Sequence, residues 1–102
     1  MEKPERIIVK ADPDLQDLMP GYLENRRQDI ETITKALDCS DFESIQRLAH
    51  SMKGSGGGYG FDGITKIGAA MELCAKERRA EGIKEQLGNL NQYLEKVEVI
   101  YE

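Results

Sequence analysis

The chain has 102 residues and a formal net charge of −5 at pH 7, with 32% charged and 39% hydrophobic residues. This is enough chain for one domain with one core, and too apolar for a disordered segment. The acidic balance disfavours nucleic acid or an anionic membrane as the main partner.

No apolar run reaches the roughly 18 residues of a membrane span, so direct membrane insertion is not expected. Cys39 and Cys74 show no metal-ligand spacing. With no signal-peptide pattern, they read as reduced thiols, and the protein as cytoplasmic.

Residues 1–11 read as a lead-in segment whose apolar run, Ile7-Ile8-Val9, lies on the remainder of the domain. Asp12-Pro13 is an N-cap followed by a proline at the first helical position, and predicts a short helix to about Met19. Pro20-Gly21 redirects the chain. The next helix is predicted over 21–38, with Leu23, Ile30, Ile33 and Leu37 inward and Tyr22 and Ala36 on the flanks. Arg26, Arg27, Asp29, Glu31 and Lys35 read as its solvated face.

Cys39-Ser40-Asp41 makes a turn, and Ser40 or Asp41 caps a helix over 42–57. The following helix runs from Phe61 to about Arg79, with Phe61, Ile64, Ile67, Gly68, Met71, Cys74 and Ala75 as its apolar stripe. Glu81-Gly82 closes it. In the last helix Ile83, Leu87, Leu90, Leu94, Val97 and Tyr101 alternate by four and three, as in a coiled-coil seam. No strand pair or internal repeat is evident. The expected fold is all-α: an antiparallel four-helix bundle over 12–102, with the short N-terminal helix covering one end.

The chain's chemistry concentrates in Leu48–Gly60, which holds the only histidine and five of the ten glycines. At about 100° per residue, Phe42, Ile45, Leu48, Ala49 and Met52 share one face. His50 points roughly 140° away from that stripe, toward solvent, near Gln46, Arg47, Lys53, Gly54 and Gly57. A lone histidine is usually a satisfied core residue or an idle surface one. Here the core positions are already taken by apolar side chains. Lys53 lies one turn after the ring and can reach a negative group carried on it. Gly54 lies at i+4, where glycine costs a helix about 0.5–1 kcal/mol, so it calls for a reason such as close approach of another molecule. The plainer reading, that the glycines end the helix and form the turn, explains Gly58 and Gly60 well and Gly54 poorly.

His50-x-x-Lys53-Gly54-Ser55, with Gly60 ten residues after the histidine, resembles the signature of histidine-containing phosphotransfer (HPt) domains. Ala49, Met52 and the later Ala70-Met71-Glu72-Leu73 also fit, and the resemblance runs from about Asp12 to Tyr101. It implies that His50 accepts a phosphoryl group, with Lys53 stabilising its charge. Gly54, Arg47, Gln46, Gly57 and Glu72 would take part in binding. The implied partners are receiver domains of response regulators and of a hybrid sensor histidine kinase. The chain would be a monomeric relay intermediate without an ATP site or cofactor of its own, and Mg2+ would sit on the partner receiver.

Two further readings come from the residues. Gly58-Tyr59-Gly60-Phe61-Asp62-Gly63 formally matches G-x-G-x-x-G, but the segment before it is helical where a dinucleotide site needs a strand. The runner-up is an interaction module that binds a receiver or kinase without passing phosphate. Glu72 reads equally as a solvent glutamate or as a group that holds one ring nitrogen of His50. As a carboxylate it would also favour the protonated ring and repel a phosphoryl group.

Overall fold

The computed structural model describes residues 6–102. Four helices account for most of them: α1 (Met19–Asp38), α2 (Phe42–Gly58), α3 (Asp62–Lys76) and α4 (Ala80–Lys96). Two short strands, β1 (Ile7–Ala11) and β2 (Val97–Tyr101), pair in parallel with Ile7 opposite Val97 and Ala11 opposite Tyr101.

The strands correct the expected ends of the chain. The helical seam stops at Lys96, and Val97 and Tyr101 sit on β2 instead. Val-Glu-Val-Ile-Tyr is dominated by β-branched and aromatic residues, which favour an extended chain once a partner strand is available. That partner is Ile7–Ala11, the second half of the expected lead-in; residues 1–5 lie outside the described residues. Val9 and Ala11 are buried, so β1 belongs to the core.

The covering helix shrinks to one 3-10 turn, Pro13–Leu15, capped by the Asp12 side chain accepting from the Asp14 N–H at 2.9 Å. Pro20 explains the interruption. It has no N–H for the Gln16 carbonyl, and its ring collides with that carbonyl in a continuous helix. Pro20 and Gly21 occupy the first turn of α1 instead.

Asp41 caps α2, accepting from the Ser44 N–H at 3.2 Å. The helix ends at Gly60, whose φ of +87° is a left-handed conformation open to glycine at little cost. The α3–α4 break comes earlier than Glu81-Gly82, at Arg78, which takes a left-handed φ of 54° while the Arg79 N–H returns to the Cys74 carbonyl at 2.8 Å. Gly82 lies inside α4 against the Cys74 side chain.

The core holds Met19, Tyr22 and Ile33 from α1, Ile45, Ala49 and Met52 from α2, Ile64 and Met71 from α3, and Ile83 and Leu90 from α4, with Phe61 at the α2–α3 turn. Each fully buried large side chain contributes about 1.5–3 kcal/mol through apolar burial. Tyr22 is a core residue rather than a flank, stacked on Tyr59 and Phe61 at 4.3 and 5.6 Å between ring centroids.

The closest approach is between α2 and α3, which run in opposite directions, so that Gly56 meets Thr65 while Ala49 and Lys53 meet Gly68. A Cβ at Gly68 would lie 2.6 Å from the Lys53 backbone nitrogen, and one at Gly56 2.7 Å from Thr65 Oγ1. The two glycines therefore set the spacing of the pair. The Thr65 hydroxyl donates to the Lys53 carbonyl at 3.1 Å across the same seam.

Candidate functional site

The buried stripe of α2, made of Ile45, Ala49, Met52 and Gly56, fixes the rotation of the helix. His50 is thereby turned outward, with 69% of its side chain exposed. Across the seam, close contact at Gly68 brings the next turn of α3 against the ring. Glu72, only 10% exposed, places Oε2 2.8 Å from His50 Nδ1 and accepts from Lys53 Nζ on Oε1 at 3.0 Å. One carboxylate thus holds both signature side chains.

The hydrogen bond from the Lys53 ammonium is the largest influence on Glu72. It holds the carboxyl below its ordinary range against the opposing effect of burial, with His50 adding in the same direction. An ionised carboxylate only accepts hydrogen bonds, so Nδ1 carries the proton in this contact. In the neutral ring, Nε2 is then left with a free lone pair.

Gln46 and Arg47 lie one turn before the histidine and line an open hollow of about 470 Å³ with His50, Ser51 and Glu72. Gly54 and Gly57 continue the exposed face one and two turns further on. A Cβ at Gly54 would meet nothing within 4 Å, and one at Gly57 would make only ordinary contact with Thr65 Oγ1 at 3.6 Å. Neither glycine is required by packing inside this chain.

The structure therefore gathers Gln46, Arg47, His50 and Glu72 around one hollow and ties Lys53 to Glu72. Ser51 also lines the hollow, although adjacent residues on a helix diverge by about 100°, and sequence reasoning did not assign it to this group. Nor did it separate Gly56 and Gly68, which space the helices, from Gly54, which is open. The only available signal was that Gly68 falls within the apolar stripe of its helix.

The charged face expected on α1 divides in two. Arg27, Glu31 and Lys35 are exposed. Arg26 and Asp29 turn inward as a 2.8 Å ion pair with side chains 15% and 17% exposed. Burial raises the Asp29 carboxyl above its ordinary value, opposed by Arg26. The Arg26 guanidinium lies 4.5 Å from the centroid of the Tyr22 ring, whose hydroxyl meets Ser55 Oγ at 2.9 Å. The serine of the signature thus fastens α2 to α1.

A family model described as the Hpt domain matches residues 17–99. The chain belongs to the Hpt family. Membership places it in two-component phosphorelays, in which Hpt domains carry phosphohistidine and interact with receiver domains. Comparisons with curated proteins and with solved structures return no match. In this Hpt domain the signature occupies the third and fourth turns of α2, and its final glycine is the left-handed residue that ends the helix beside β1. Among the described residues no helix is long and apolar enough to cross a membrane.

Proposed function

We propose that His50 accepts a phosphoryl group from the aspartyl phosphate of one receiver domain and passes it to an aspartate of another. The observation that carries this reading is the 2.8 Å contact of Nδ1 with Glu72, on a ring otherwise open to solvent. It commits one nitrogen to the proton and leaves Nε2 as the nucleophile.

In the forward step the Nε2 lone pair attacks phosphorus. The bond from phosphorus to the aspartate oxygen breaks, and its electron pair stays on the departing carboxylate. The Nδ1 proton remains shared with Glu72, which offsets the positive charge the ring acquires. Lys53 keeps Glu72 ionised and directs its remaining N–H donors toward the incoming oxygens. Gly54 and Gly57 leave the face low enough for a receiver to seat over the ring. The divalent ion that such transfer requires resides on the receiver. The chain acts as a monomeric cytoplasmic intermediate between a hybrid sensor kinase and a response regulator.

The test is incubation of the chain and His50→Gln with a phosphorylated receiver domain. Wild type is expected to gain acid-labile phosphate and the mutant none. Uptake by the mutant removes His50 from the role. Stable receiver binding with no transfer to wild type would leave an interaction module.

A further inference from the structure

We propose that Arg47 is the principal cation holding the phosphoryl oxygens beside His50, in the hollow between α2 and α3. The inference rests on the phosphotransfer reading above and assigns the charge that this reading leaves unbalanced.

With a neutral ring, the charges of Glu72 and Lys53 cancel. Lys53 Nζ is held on Glu72 Oε1 at 3.0 Å, and Oε2 stands 2.8 Å from the ring. A phosphoryl group arriving at Nε2 brings negative charge to a site whose one neighbouring ammonium is already shared with a carboxylate. A second cation is required, and it has to be free.

Arg47 meets both conditions. It lies at i−3 from His50 on the same helix, where side chains three apart are neighbours. It lines the hollow with His50, Ser51 and Glu72. Asp41 feels its charge as the smallest of the influences on that carboxyl, but none of the ion pairs among the described residues uses it. The next hollow along the seam contains Lys76 and Arg78, but neither lines the hollow beside His50, and the Arg78 guanidinium lies over the Phe42 ring at 5.9 Å. A guanidinium also suits the task, because its fork of N–H donors matches two phosphoryl oxygens at once. The Gln46 amide and the Ser51 hydroxyl line the same walls and offer neutral donors.

In the balanced step, the N–P bond forms at Nε2 as the aspartyl O–P bond breaks, and the proton on Nδ1 stays with the ring and Glu72. Arg47 contributes two hydrogen bonds to the moving oxygens and exchanges no proton. It binds the group before, during and after transfer, so the lifetime of phosphohistidine depends on it as well as the rate of its formation.

The experiment uses two phosphoryl donors on the full chain and on Arg47→Ala and Arg47→Lys. Phosphoramidate reaches the ring without docking; a receiver domain charged with acetyl phosphate must dock. Arg47→Ala is expected to slow labelling of His50 at least about tenfold with both donors, the effect of losing one charge-assisted hydrogen bond. Arg47→Lys is expected to recover part of the rate, and the phosphorus resonance of phosphohistidine should shift in Arg47→Ala. Slowing with the receiver alone makes Arg47 a docking residue and overturns the assignment. So does a rate within about twofold of wild type for both donors, less than the weakest such bond would cost. A wild-type chain that takes no label from either donor overturns the phosphotransfer reading too.

Discussion

Replacing Gly68 by alanine puts a methyl carbon where the α2–α3 seam has no room for one. The new Cβ would stand 2.6 Å from the Lys53 nitrogen, 2.9 Å from the Ala49 carbonyl oxygen and 3.0 Å from Lys53 Cα. All three are backbone atoms of a helix and cannot rotate away. Ordinary contact begins at 3.4 Å, so the helices must part by about 0.8 Å. Overpacking of this kind costs about 1–3 kcal/mol. The better helix propensity of alanine returns about 1 kcal/mol. The net loss of up to about 2 kcal/mol corresponds to a Tm lower by up to about 15 °C in a domain of this size. The same displacement would stretch the His50–Glu72 contact from 2.8 Å toward about 3.6 Å, beyond hydrogen-bonding range. Phosphotransfer should therefore slow at temperatures where the variant is fully folded.

Gly54→Ala is the matched control. Its Cβ meets nothing within 4 Å, so the propensity gain stands alone and the variant should melt a few degrees above wild type. Thermal unfolding of the two variants side by side decides the matter. A Gly68→Ala protein as stable as Gly54→Ala would refute the claim that these helices are held at glycine distance.

Three other perturbations follow from the same contacts. Gly54→Leu should slow transfer from a receiver while helical circular dichroism is unchanged or stronger; an unaltered rate would show that the open face is not used for docking. Lys53→Ala removes the cation that neutralises Glu72 beside the ring. It should lower the transfer rate within the complex more than the affinity for the receiver, and the opposite split would make Lys53 a docking residue. Burial raises the Tyr93 hydroxyl to about 12, with Asp62 and Tyr22 adding to the shift. A group whose folded value lies above its unfolded one favours the fold most when protonated. The stability tied to Tyr93 is thus intact below about pH 10, the unfolded value, and lost as pH rises toward 12. Alkaline titration should show one late-ionising tyrosine, absent in Tyr93→Phe; its persistence in that variant would assign it elsewhere.

What the sequence determined by itself was local. Ile45, Ala49 and Met52 repeat at helical spacing, which fixes the rotation of α2 and so turns His50 outward whatever else packs nearby. The same logic places Ile64 and Met71, and Ile83 and Leu90, on the inner faces of α3 and α4. Spacing within Leu48–Gly60 was enough to expose the family resemblance. The left-handed end of α2 was likewise written in Gly60.

Tertiary structure decided whatever depends on partners distant in the chain. Val97–Tyr101 continues the apolar spacing of α4, and only the arrival of Ile7–Ala11 at its side makes the extended form the better one. Tyr22 and Arg26 look like the edge of a solvated face until Ser55 of α2 and Tyr59 just beyond its end are set against them. The same holds for Glu72, which reads equally as a solvent glutamate or a ring partner from its own helix alone. The distance between α2 and α3 puts its carboxylate against the ring, and Gly56, Gly68 and Thr65 set that distance. Periodicity reports which face of a helix is buried, but not how near its neighbour lies. In this site less than about one ångström separates a hydrogen bond to the histidine from none.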